Sequence, residues 1–259
     1  MLDFILRLGN ITLELSRLLT IRFAPGNPNS ETQIGKQVAS LIPLWNSGRR
    51  EECEFELIKL AYLAKHLGEI EEADPKLLSH FRREFRRSGK ILSYYGIRFE
   101  AYIAASLIRS GVQFIKSETP DFLIAESKLG LECTSTRVNA GHGKSDLTYK
   151  IQSALTKKAK TASNRPEIAL LIDITNIAHN LIDFDIQAIR TAIYSSLLET
   201  KFGAVVLFVH LFNHDLSQYE TNYLRIDGQT IISSLKSLLD HLYPLKVHEV
   251  REYKIPTEG

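Results

Sequence analysis

Glu100, Asp121 and Glu132 fall within one stretch, Arg98 to Arg137, which reads RFEAYIAASLIRSG, VQFIKSETPDFLIAESKLG and LECTSTR. Carboxylates are hard oxygen donors, and two or three meeting at one point suit Mg²⁺. A cation so held lowers the pKa of a bound water and neutralises charge developing on a phosphoryl group. Lysines follow in the text at Lys144, Lys150, Lys157 and Lys158, and an ammonium beside the cation would orient the water or stabilise the same charge.

That chemistry requires three elements to converge. The sequence predicts a helix ending at Gly111, a strand entering at Val112, a second strand opened by Pro120-Asp121, a tight turn at Lys128-Leu129-Gly130, and a third strand carrying Glu132. At helical spacing Glu100 shares a stripe with Ile103, Ala104 and Leu107, so its carboxylate lies against the core and needs a partner there. Pro120, with fixed φ and no N–H, suits the first residue or the edge of a strand. On the third strand Leu131, Cys133 and Ser135 take one face while Glu132, Thr134 and Thr136 take the other, so Glu132 and Asp121 can meet across neighbouring strands. Ser145 can cap a following helix with Leu147, Ile151, Ala154 and Leu155 inward, and Lys150 sits at the edge of that face near the helix start.

A helix glutamate, Pro-Asp, a hairpin and a Glu-x-x strand in this order resemble the PD-(D/E)xK nuclease superfamily, which includes restriction endonucleases, repair nucleases and Holliday junction resolvases. The resemblance implies an α/β fold, a restriction endonuclease-like mixed β-sheet flanked by helices, and Mg²⁺- or Mn²⁺-dependent hydrolysis of DNA. Asp121 matches the family's metal-binding aspartate, Glu132 its second acidic ligand and Glu100 the additional helix glutamate; the Cys133 carbonyl would complete the metal set. Where the family has its lysine this chain has Thr134. The lysine is then expected from another element, with Lys150 first and Lys144 and Lys157 after it. The alternative is a degenerate site on the same fold that binds DNA or a protein partner without cutting.

The chain has 259 residues, 44% of them hydrophobic, enough for one compact domain or a domain with a sizeable extension. Residues 1–89 read as an all-helical N-terminal region and 90–259 as the nuclease-like core. A net charge of +2 does not itself announce a nucleic-acid partner, but its distribution offers candidates. The helix opened by Asp74-Pro75 sets Leu77, Leu78, Phe81 and Phe85 against Arg82, Arg83, Arg86 and Arg87. Arg82 and Arg86, with Lys144, Lys157 and Lys158, are the expected phosphate contacts, and a bland solvated face is the competing reading of the arginines. A homodimer is one expected state, since nucleases that cut both strands often work as symmetric pairs.

Cys53 and Cys133 are the only cysteines, which argues against a disulfide framework and for a reducing, cytoplasmic setting. Leu2 to Phe23 is interrupted by Asp3, Arg7, Glu14, Arg17 and Arg22, so no membrane span is expected there. Further on, Glu167–Thr175 and Gly203–Val209 read as buried strands joined through a helix begun at Asp183 or Asp185, with Asp173 a structural carboxylate at a sheet end. His210 and His214 follow a strand rather than sharing a helix face, which argues against zinc. A helix over Ile231–Leu242 and an edge strand over Lys246–Ile255 complete the expected elements.

Overall fold

The computed structural model describes residues 2–25, 31–87, 91–136, 147–178, 185–213 and 218–245. The chain divides into two compact units, Met1–Val112 and Gln113–Gly259. The helix expected to open the core, residues 91–109, therefore clusters with the helical unit rather than with residues 113–259. No helix among the described residues is long and apolar enough to cross a membrane.

The first unit is built from α1 (Leu2–Leu19), α2 (Gln33–Asn46), α3 (Arg50–Ala73), α4 (Pro75–Arg87) and α5 (Ile91–Arg109). Side chains cap two of these helices: Thr32 accepts from the Gly35 N–H at 3.2 Å, and Asp74 Oδ1 accepts from the N–H groups of Lys76 and Leu77 at 2.9 and 3.1 Å. Two helices run through residues that commonly end one. α2 continues through Pro43 to Asn46, where Trp45 stacks on Phe4 with ring centroids 4.3 Å apart. α3 passes Gly68 because Leu67 and Ile70 are fully buried on either side, and their burial outweighs the roughly 1 kcal/mol propensity deficit of a helical glycine. Gly111, at φ +68°, closes α5 with its N–H on the Ile108 carbonyl, as its position after the apolar stripe predicts.

A polar network lies inside this unit. Glu56 accepts from Lys59 Nζ at 2.6 Å and from Gln37 Nε2 at 2.5 Å, and the Tyr94 hydroxyl donates to Gln37 Oε1. Burial alone would raise the Glu56 pKa, but the charges of Lys59 and Arg98 and the hydrogen bonds of Lys59 and Gln37 hold it below the ordinary carboxylate value. Because the folded value is depressed, the stability it contributes is present above the unfolded carboxylate pKa and is lost as pH falls through the folded one. Glu56→Gln is expected to cost about 2–3 kcal/mol at pH 7, with the deficit shrinking below pH 4. Urea titrations followed by fluorescence of Trp45, the single tryptophan, will measure both.

The second unit runs β1 (Phe114–Lys116), β2 (Phe122–Ile124), β3 (Gly130–Ser135), α6 (Leu147–Ala159), β4 (Ile168–Asp173), α7 (Thr175–Ala178), α8 (Ile186–Leu198), β5 (Ala204–Asn213), β6 (Gln218–Asp227) and α9 (Ser233–Leu242). Its six strands form one mixed sheet in the order β1-β2-β3-β4-β5-β6. β1, β2 and β3 pair antiparallel, β3, β4 and β5 pair parallel, and β6 returns antiparallel to β5. Every residue of β4 is buried, as its apolar run demands of a central strand. Leu147, Ile151 and Leu155 of α6 and Ile189, Ile193 and Leu197 of α8 cover the sheet face carrying Ile168, Leu170, Ile172, Val205 and Leu207.

Two sequence expectations are corrected here. The turn between β2 and β3 lies over 125–128, with Glu126 at φ +58°, and Gly130 is already the first residue of β3. β6 was not anticipated, because QYETNYLRID is too polar to read as a strand by hydrophobic content. It folds as one because alternation places Leu224 and Ile226 on the core while Arg225 crosses to α9. The Arg225 guanidinium binds Asp227 through two nitrogens at 2.6 and 2.9 Å and Asp240 at 2.8 Å, which fixes α9 against the edge. The expected strand Lys246–Ile255 lies outside the described residues.

Candidate functional site

Asp121 is placed by the end of the β2–β3 pairing. The register joins Phe122 to Leu131, so Asp121 stands just before the last paired residue of β2 and Glu132 just after its partner on β3. Cys133 therefore lies beyond the paired part of β2, and its N–H finds Asp121 Oδ2 at 2.7 Å instead of a strand carbonyl. Gly130 makes the approach possible: a Cβ there would come within 2.5 Å of Pro120 Cγ and 2.8 Å of Ile168 Cδ1. The outer oxygen, Asp121 Oδ1, accepts from Lys116 Nζ of β1 at 3.3 Å; both side chains are largely buried, and the ammonium also lies 5.0 Å from the Phe122 ring centre.

Glu132 faces the helices. It pairs with Leu170 in the parallel register, and Leu170 belongs to the face covered by α6 and α8, so Glu132 is only 4% exposed. Glu132 Oε2 accepts from the buried Ser163 hydroxyl at 2.5 Å, and Oε1 is bound by Lys158 Nζ from the last turn of α6. Burial pulls the Lys158 pKa down, but the Glu132 hydrogen bond and charge, helped by the Asp121 charge, raise it overall. Asp121 and Glu132 are thus each paired with a lysine, and the Asp121 charge also acts on Lys158.

Lys158 was expected among the phosphate contacts and Lys150 beside the carboxylates; the structure pairs Lys158, not Lys150, with Glu132. The reason is topological. α6 connects two parallel strands, so it runs back against β3, and its first turn lies near the far end of that strand. Lys150 and Lys158 are eight residues apart, roughly 12 Å along the helix. Helical periodicity carried the signal: Lys158 follows Ile151 by seven and Leu155 by three, which continues the buried stripe. Lys116 and Ser163 had no comparable signature in the text.

Of the other expected residues, Glu100 is half-buried on α5 of the first unit, and Thr134 is half-buried on the Glu132 face of β3. Lys157 is exposed, Lys150 is half-buried, and Lys144, with the glycine-containing loop around it, lies outside the described residues. Arg82 donates to the Leu18 carbonyl at 2.5 Å and Arg86 to the Leu19 and Thr20 carbonyls at 3.3 Å, so both cap the C-terminal end of α1. Asp173 accepts from Ser135 Oγ and the Thr175 N–H, a structural use at the sheet end as expected. His210 Nδ1 lies 2.8 Å from Thr221 Oγ1, and His214 is outside the described residues.

Among the described residues no group of three or more His, Cys, Asp or Glu is placed to hold a metal ion. The pair Asp121 and Glu132 nonetheless fits a hard divalent cation in one specific respect. Their inner oxygens are fixed by an amide and a hydroxyl, whereas among the described residues the outer ones are held by lysines, whose flexible stems can withdraw. Comparison with family models, with curated proteins and with solved structures returns no match to this chain.

Removing the Lys158 ammonium leaves Glu132 buried without its counter-charge. Lys158→Met is therefore expected to destabilise the protein by about 3 kcal/mol, against less than about 0.5 kcal/mol for Lys150→Met. Because the Lys158 value is raised, its contribution persists at neutral pH and is lost only as pH rises through that value, so the gap should survive to about pH 10. Urea unfolding followed by far-ultraviolet circular dichroism checks both.

Proposed function

We propose that the chain is a divalent-metal-dependent DNA endonuclease of the PD-(D/E)xK kind, with its lysine supplied by Lys158 of α6 in place of Thr134. The observation that carries this reading is the Lys158–Glu132 pair on β3, one residue from Cys133, whose N–H is held by Asp121. Further support comes from the order of elements, a short antiparallel hairpin followed by a parallel crossover in a mixed sheet, which is the setting that the Pro120-Asp121 and Glu132 motif calls for.

In this reading Asp121 and Glu132, with the Cys133 carbonyl, hold Mg²⁺ or Mn²⁺. When bound, the cation supplies an acidified water and charge neutralisation at the phosphorus. Lys158, released from Glu132, orients that water or stabilises the transition-state charge, and Ser163 keeps Glu132 turned toward the cation. Lys157, exposed beside Lys158, contacts the DNA backbone.

Purified protein with Mg²⁺ or Mn²⁺ is expected to nick or cut duplex or branched DNA. Asp121→Ala should abolish cleavage with the fold intact, and Lys158→Met should lower the rate by about 10²–10³-fold. A complete absence of cleavage on every DNA form, with both metals tried, removes the enzyme. Retention of DNA indifferent to Asp121→Ala would then favour a binding protein that does not cut, a reading motivated by Thr134.

A further inference from the structure

Lys116 has no counterpart in the motif that points to a nuclease, yet it holds the oxygen of Asp121 that a cation would take. Its side chain is 10% exposed and that of Asp121 13%, so solvent screens the pair little. With Lys158 on Glu132, each carboxylate already has an ammonium beside it. A divalent cation entering alone adds two positive charges to a mostly buried place. A phosphodiester brings one negative charge and a hydroxide from water a second, which offsets them.

We propose that Lys116 makes cation binding and phosphate binding interdependent: it occupies Asp121 until a phosphodiester draws its ammonium away, so that metal and nucleic acid enter together. The inference rests on the nuclease reading and adds to it a positioning residue and a form of regulation. Lys116 is suited to the exchange because Asp121 keeps its orientation without it, through the Cys133 N–H on Oδ2. Linkage requires the effect to be mutual, so the cation should tighten binding of the duplex by the factor by which the duplex tightens binding of the cation.

The test is Mn²⁺ titration of the full chain, read by loss of the free-ion electron paramagnetic resonance signal, with and without a phosphorothioate DNA duplex that resists cleavage. Binding to the duplex alone is subtracted. For the wild type the duplex should tighten Mn²⁺ binding about tenfold or more. Lys116→Gln should bind Mn²⁺ about tenfold more tightly than the wild type in the absence of DNA and gain little from the duplex, whereas Lys116→Arg, which keeps the charge, should retain the coupling. Equal wild-type affinity with and without duplex overturns the proposal whatever the variants do, as does coupling undiminished in a folded Lys116→Gln protein. If Asp121→Asn binds Mn²⁺ as the wild type does, the cation lies elsewhere and the nuclease reading fails with it; Asp121-dependent binding without coupling overturns the role of Lys116 alone.

Discussion

A carboxylate on the covered face of a sheet has to be neutralised, and Glu132 is such a carboxylate. Its strand position aims it at α6 and α8, where water cannot solvate it, so the helix packed above must deliver a cation and the loop beyond must deliver a hydrogen bond. Lys158 and Ser163 do so from opposite ends of one short stretch. That single requirement fixes where the last turn of α6 sits over β3, and with it which lysine stands beside the acidic pair. An ion pair of this kind is a poor source of net stability but a stringent constraint on register, since any slip of α6 leaves a charge buried alone.

The second constraint acts from the sheet edge. β2 stops pairing where Pro120 turns away, and the Asp121 side chain takes over the hydrogen bond that a further strand residue would have made to Cys133. Gly130 lets Pro120 and Ile168 close over the hairpin base, so the position of Asp121 depends on an absent side chain as much as on any present one. The outcome is two carboxylates with their inner oxygens fixed by neutral donors and their outer oxygens under mobile ammoniums, an arrangement suited to exchanging one positive partner for another.

The arginines show the same logic resolved differently. On α4 the cationic face looks from the text like a phosphate contact, and in the fold Arg82 and Arg86 donate to carbonyls at the end of α1. Arg225, unremarkable in the sequence, is almost fully buried and joins β6 to α9 through two aspartates. Charge clustering in a sequence indicates where cations are, while the geometry of orphaned acceptors decides what they serve.

The local features were legible from residue types alone. Apolar period, caps at Asp74 and Asp185, the glycine stop at Gly111 and the continuous apolar run of β4 all follow from backbone chemistry within a few residues. For the candidate site, the text placed Asp121 just before β2 and Glu132 within β3, because a proline step, a hairpin and a period of two mark those positions. What the text could not fix was anything settled by elements distant in sequence: that α2 and α3 run past Pro43 and Gly68 under the pull of packing, that the polar β6 forms an edge strand by pairing with β5, and that Lys158 rather than Lys150 reaches Glu132. Those outcomes depend on the direction in which a helix returns across a sheet and on which buried group lacks a partner, and both exist only once the chain has folded back on itself.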